Sequence, residues 1–388
     1  MNRVPPLSLD GKSVRVRRAT TRSDLRKFLA VPHRVFSGDP VWIPPLTRER
    51  LRHLDPRRNP FFSIADVRFW IGERDGMPIG RLSAQTYRDH RADNKIRAHF
   101  GFVDAVDDPA VFSELFANAE TWLKEQGAHS VTGPFSLSIN EESGLLVDGF
   151  DRAPFLMMGH AAPYYAGHLE RLGYRKQRDL LAYRFDPAMD TPPSVRAFVA
   201  KVKREAGVTF RALDLADLTN EIARVMNIFN DAWADNWHFV PFSQKDMSYV
   251  ARNVRPLLRA DDVAIAEIDG EPVAMALSLP NVNEAIADLR GRLFPFGWAK
   301  LLWRLKVTGL RTARMPLMGV LRRYRGSALS AGLALGVIEQ VRRAHCRRGT
   351  REAELSWVLE DNLAVRRLIE MLGGVACKTY RIYGKELG

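Results

Sequence analysis

Three arginines ending in a glycine open a stretch of small residues at 321–333, LRRYRGSALSAGL. Before it, MPLMGVL (315–321) has the composition of a buried strand, and SALSAGLALGVIEQVRRAH (327–345) has that of a helix. The first N–H groups of such a helix have no intrahelical acceptor and lie at the positive end of its dipole. Gly326 permits backbone angles closed to other residues and lets a ligand approach closely. Ser327 and Ala328 then start the helix, while Arg322, Arg323 and Arg325 add charge and bidentate donors. The chemistry expected of this turn is capture of a diphosphate.

The whole chain has the charge for an anionic partner. Its 388 residues carry 58 Lys plus Arg against 45 Asp plus Glu, a formal net charge of +13, which favours nucleic acid, acidic lipid or a phosphorylated ligand. No nucleic-acid-binding module accompanies the charge, so nucleic acid is not expected. Only Cys346 and Cys377 are present, which argues against a disulfide framework or a zinc site and favours buried, inert thiols. No metal is expected. The N-terminus lacks an apolar leader core and no apolar run is long enough to span a bilayer. A cytoplasmic protein follows, peripheral on the inner face of the membrane if it touches one.

The elements that hold the arginine turn occur twice. Glu73-Arg-Asp-Gly-Met-Pro-Ile-Gly80 matches Glu267-Ile-Asp-Gly-Glu-Pro-Val-Ala274, each an Asp-Gly pair between apolar runs, which is a hairpin signal. Val14 and Val208 open matching strand-to-helix segments, and Leu169-Glu-Arg-Leu-Gly-Tyr174 matches Ile369-Glu-Met-Leu-Gly-Gly374. Each copy reads as strand, helix, hairpin, strand, helix, strand, helix, strand, an α/β unit with helices on both faces of a twisted mixed sheet. Pro192-Pro193 marks the boundary: a first domain over 1–190, a linker helix over 191–206 and a second domain over 207–388. In the first copy the turn equivalent to RRYRG is Asp107-Asp108-Pro109. Carboxylates at a helix N-terminus compete with phosphate, so the first copy is expected to serve as acceptor site or scaffold.

Arg323-Tyr-Arg-Gly326-Ser-Ala328 fits the R/Q-x-x-G-x-G/A pattern of the GNAT acyltransferases, and SWVLEDNLAVRRLIEMLGG resembles their N-x-x-A…L-Y-x-x-x-G-F segment. The chain thus resembles two tandem GNAT-like domains. GPFSLSINEESGLLVDGF (133–150), NDAWADNWHFVPF (230–242), LRGRLFPFGWAKLLWRL (289–305), AELSWVLEDN (353–362) and KTYRIYGK make it look most like the bacterial ceramide synthase group. The resemblance implies acyl-coenzyme A at Gly319, Val320, Arg322, Arg323, Arg325, Gly326, Ser327 and Ala328, with Asn362 and Leu368 at the family's Asn and Leu positions. The N–H groups near Gly319 and Val320 would polarise the thioester carbonyl.

The implied reaction moves a long acyl chain to the amine of a sphingoid base, giving a ceramide. The amine must lose a proton before it attacks, and Glu354 is the first candidate base, Glu142 the second. Ile369 stands where many relatives carry a proton-donating tyrosine; Tyr380 is the candidate substitute. Trp233, Asn236 and Trp237, with Tyr164 and Tyr165, are assigned to the acceptor site. His238 follows Asn236-Trp237 where glycine is expected, and His160-Ala-Ala-Pro lacks the expected Asn before proline.

From Leu289 through Ile338 there is no acidic residue, and GWAKLLWRLKVTGL places Trp298, Leu301, Leu302 and Leu305 on one helical face. Residues 289–325 therefore suit an anionic membrane surface, with an ordinary core-facing helix as the alternative. Other functional readings stay open: acetylation of a small amine or peptide, aminoacyl transfer from tRNA, or non-catalytic membrane binding.

Overall fold

The computed structural model describes residues 13–89 and 95–388; residues 1–12, where no leader core is expected, lie outside them. The first half runs β1 (Arg15–Arg18), α1 (Arg22–Val35), α2 (Thr47–His53), β2 (Ala65–Arg74), β3 (Met77–Asp89), β4 (Lys95–Ala105), α3 (Pro109–Glu125), β5 (Ser130–Gly133), β6 (Leu145–Asp148), α4 (Tyr165–Arg171) and β7 (Arg175–Phe185). The second runs α5 (Pro193–Glu205), β8 (Thr209–Ala212), α6 (Leu218–Ala232), α7 (Gln244–Val254), β9 (Val263–Ile268), β10 (Glu271–Pro280), α8 (Val282–Ile286), α9 (Gly297–Trp303), β11 (Thr312–Val320), α10 (Ala328–Arg347), β12 (Glu352–Leu359), α11 (Leu363–Met371) and β13 (Val375–Glu386).

The repeated Asp-Gly pairs make the same turn twice. Asp75 and Gly76 have φ of 52° and 74°, and Asp269 and Gly270 have 51° and 78°, the left-handed pair that a two-residue hairpin turn requires. Each half-sheet is covered on both faces. On β10, Ala274 and Ala276 join the core beneath α10, while Met275 and Leu277 join the core beneath α6. This is the period-two alternation of a strand buried on both sides.

One sheet runs through the molecule, in the order β1-β2-β3-β4-β5-β13-β7-β12-β11-β10-β9-β8, with β6 pairing β13. The last strand of each half has crossed over: β13 pairs β5 of the first half, and β7 pairs β12 of the second. A cut near residue 190 therefore divides the chain but not the sheet. The repeated Glu-x-Leu-Gly segments fasten the exchange, for Tyr183 donates to Glu370 and Tyr383 to Glu170, both at 3.0 Å. The expected linker helix α5 packs into the second half, with Val202 buried against Gly332 of α10, where a Cβ would come within 2.6 Å of it.

Candidate active site

β11 and β12 are paired in parallel only from Thr312↔Glu352 to Met315↔Leu355. Beyond that point both strands continue without each other, and β11 remains bonded to β10 alone. The divergence leaves a V whose β11 arm ends at the arginine turn. Leu321 N–H donates to Val273 O at 2.9 Å. By the alternation of an antiparallel ladder, Gly319 N–H also faces β10, while Met318 and Val320 N–H face the V. Of the two expected carbonyl-polarising positions, Val320 turns its N–H to the V. Gly319 instead lets α6 approach, since a Cβ there would lie 3.0 Å from Ala232 Cβ.

At the head of the V, Gly326 takes φ of 77° with open space around its Cβ position. Ser327 caps α10 by accepting from Ser330 N–H at 3.1 Å. The N–H groups of Gly326, Ala328 and Leu329 have no acceptor among the described residues. The arginines expected to add charge and donors are already engaged by carboxylates. Arg322 pairs with Asp231 and Asp235, Arg325 with Asp235, and Arg323 with Glu271 at 2.7 Å. All four pairs are substantially exposed, a setting in which ion pairs exchange partners at little cost. The residues at this turn fit a diphosphate, with the helix N–H groups as its fixed donors and the arginines available by exchange. Sequence reading missed Asp231 and Asp235, because their ninety-residue separation from the turn hides the contact.

At the foot of the V lies a buried polar cluster. Glu354 is 2% exposed and accepts from Ser356 Oγ at 2.9 Å. Ser356 Oγ in turn accepts from Arg314 Nε at 2.9 Å. Arg314 stands opposite Glu354 in the ladder and also donates to Leu156 O at 2.9 Å and Ser356 O at 3.2 Å, with its guanidinium 4.6 Å over the Trp357 ring. Burial lifts the Glu354 carboxyl above the ordinary range, against the opposing pull of Arg314 and Lys378. Burial also lowers the Arg314 guanidinium to about 10. Tyr380, on the crossed-over strand β13, is fully buried with no partner for its hydroxyl among the described residues, and burial holds its pKa well above that of a free phenol. Arg314, Ser356 and Lys378 carried no signal in the sequence, where they read as strand residues of ordinary composition.

A strap over residues 153–156 covers this cluster. Its carbonyls accept from Lys378 Nζ (Ala153, 3.0 Å), Asn283 Nδ2 (Pro154 and Phe155, 2.8 and 3.0 Å) and Arg314, and Leu156 N–H donates to Asn281. Both halves thus build the site: β11 and β12 from the second, the strap from the first, and β13 bridging them.

The matching V of the first half is filled by its own chain. β4 and β5 meet at a single parallel pair, His99↔Thr132. Phe135 N–H donates to Phe100 O, and Gln85 Nε2 grips the carbonyls of Phe135 and Leu137, each at 2.8 Å. A side chain at Gly101 would meet Phe135 O at 1.9 Å. The N-terminus of α3 is capped by Asp108, which also binds Arg74 at 2.6 Å. Glu142 lies on this filling loop, paired with Arg50, and makes no hydrogen bond to the Glu354 cluster.

Several expected site residues have structural duties. Tyr165 is fully buried and receives Ala105 N–H at 3.1 Å, and Tyr164 donates to Ala105 O at 2.7 Å. Tyr165 belongs to the first-half core, and the half-buried Tyr164 packs against it. Asn362 caps α11 by accepting from Val365 N–H at 3.3 Å. Leu368 is half-buried on that helix, and Ile369 packs against Tyr183 and Val358. Trp233 donates to Met318 O at 3.1 Å, which places its indole on the edge of the V. Asn236 is half-buried, and Trp237 stacks on His238 and packs against the first half. Cys346 is exposed rather than buried as expected; Cys377 is half-buried and burial lifts its thiol to about 11.

No protein-family model matches the chain. It is 44% identical to Protein YghO of Escherichia coli over 96% of this chain and 95% of that one. It is 43% identical to the bacterial ceramide synthase of Caulobacter vibrioides over 95% and 96%. The chain belongs to their family. Among solved structures, a tandem GNAT protein from the clavulanic acid biosynthesis pathway superposes with a TM-score of 0.58 at 15% identity, over 97% of this chain and 99% of that one. That likeness shows the fold, and with it the family relationship makes the protein a tandem GNAT-fold N-acyltransferase. No helix among the described residues is long and apolar enough to cross a membrane.

Proposed function

We propose that the protein transfers a long acyl chain from coenzyme A to the amine of a sphingoid base or related lipid amine. The observation that carries the acyl-CoA part is the open V: its β11 arm runs from Arg314, opposite the buried Glu354, to the bare N-terminus of α10. The acceptor class follows from the 43% identity to a bacterial ceramide synthase.

In this reading the diphosphate lies on the N–H groups of Gly326, Ala328 and Leu329, and the pantetheine pairs with the free edge of β11. Val320 and Met318 N–H face the thioester arm. Glu354, through Ser356 or water, takes the ammonium proton before attack; its raised pKa brings it closer to working pH, as a general base requires. The neutral amine adds to the thioester carbonyl, the C–S bond breaks, and the thiolate takes a proton from Tyr380, whose phenolate regains one from the nitrogen as it becomes an amide. The unpartnered phenol beside Glu354 supports that last assignment. The filled V and acidic cap of the first half support a single acyl-CoA site.

Mass spectrometry of lipid extracts after incubation with acyl-CoA and a panel of amines tests the proposal. An N-acylated sphingoid base is expected. An acetylated polyamine or peptide, or turnover with charged tRNA and none with acyl-CoA, would replace it.

A further inference from the structure

The segment between α8 and β11 carries more exposed apolar surface than its amphipathic pattern implies. Phe296 is 78% exposed and Phe294 66%. Trp298, Leu302, Trp303 and Val307 are each more than half exposed. Leu301 and Leu305, expected on the same face as Trp298, are half-buried. α9 ends at Trp303, and the wider turn Arg304–Thr308 continues it. Soluble proteins seldom present large aromatic side chains this densely unless another phase or partner receives them.

The segment is held out from the body and not collapsed on it. Lys300 and Arg304 both bind Asp288, and Arg304 Nη1 also donates to Ala285 O at 2.7 Å. On the other side Gly291 O accepts from Thr47 N–H at 3.1 Å, and a side chain at Gly291 would strike Pro45 O. These ties anchor both ends while the tip, Phe294 to Val307, projects. Arg290, Arg292 and Lys306 are exposed around the apolar tip and make no ion pair among the described residues. Asp288, the nearest carboxylate in sequence, is already engaged by two cations.

We propose that residues 290–307 dock the protein on an anionic lipid bilayer, with Phe294, Phe296, Trp298 and Trp303 entering the headgroup–acyl boundary and the cations at phosphate level. Charge decides the occupant. An apolar tip ringed by unpaired cations, with no acidic residue from 289 to 338, matches an anionic surface. A second copy would bring like charge against like. The docking surface is one short helix from the strap over the Glu354 cluster, because Asn281 and Asn283 bind that strap while Asp288 binds α9. The proposal does not depend on the identity of the acceptor.

The test is sedimentation of the full chain with vesicles of phosphatidylcholine alone or mixed with phosphatidylglycerol, at low and high salt. The wild-type protein is expected to bind the anionic vesicles, to bind neutral ones weakly, and to lose affinity as salt rises. A Trp298→Glu/Trp303→Glu variant should bind at least about tenfold more weakly, since two interfacial anchors become anions. An Arg290→Glu/Lys306→Glu variant should lose the preference for anionic vesicles. Thermal melts and acyl-CoA binding should be unchanged, because all four side chains are exposed and none belongs to the diphosphate turn. Equal binding by the wild-type protein and the tryptophan variant overturns the proposal. So does a dimer in light scattering that Trp303→Glu dissociates while no form binds vesicles, which assigns the tip to a second copy.

Discussion

Replacement of Glu354 by Gln isolates its proposed role as base. The amide is isosteric and its Oε1 can still accept from Ser356 Oγ, which now lies 2.9 Å from the carboxylate. Two stability effects oppose each other. An ionised carboxylate at 2% exposure opposes folding, and the amide removes that cost; the same change takes a countercharge from the buried Arg314. The net change should stay within about 1–2 kcal/mol. Loss of a general base costs about 10²–10⁴ in rate, or roughly 3–5 kcal/mol of transition-state stabilisation. Acyl-CoA affinity should be unaffected, because the diphosphate donors lie at the opposite end of β11.

The pH dependence has a definite sign. Burial raises the carboxyl of Glu354 above the ordinary glutamate range, and the base must be ionised, so kcat/KM should fall as pH falls through that raised value. The matching contribution to stability is present below the unfolded pKa and is lost as pH rises through the folded one. Steady-state rates across pH on wild type and Glu354→Gln, with calorimetry of acyl-CoA binding, supply the assay. A variant retaining activity within about threefold of wild type refutes the assignment. So does a wild-type acid limb at the pKa of an ordinary glutamate.

Gly326→Val should weaken acyl-CoA binding about tenfold or more, since a β-branched residue at φ of 77° forces the turn out of shape; an unchanged Kd by calorimetry would show that the diphosphate lies elsewhere. Tyr380→Phe removes a hydroxyl without a partner, so stability should hold or rise by about 1 kcal/mol. The rate should drop, and acyl donors with a more acidic leaving thiol should restore it; loss without such rescue would make the tyrosine structural. Residues 1–190 expressed alone should show no cooperative melting transition, because β13 lies between β5 and β7. A sharp two-state transition in that fragment would contradict the strand exchange as the basis of its stability.

Local signals made much of the protein legible in sequence. Asp75-Gly76 and Asp269-Gly270 carry hairpin turns in their own side-chain chemistry, and Gly326 carries its positive φ in the absence of a Cβ. The duplication was readable for the same reason, since each copy repeats short-range instructions in order. Long-range pairing left no such trace. Nothing local tells β7 and β13 to exchange halves, although Glu170 and Glu370 sit in the repeated segments that receive the opposite tyrosines. The paired state of the three arginines, the burial of Tyr165, and the Arg314–Ser356–Glu354 chain likewise depend on which strands become neighbours. Composition and spacing specified a helix N-terminus able to receive phosphate. Tertiary structure decided which V stays open, because Gln85, Phe135 and Leu137 close one of them through contacts about fifty residues apart.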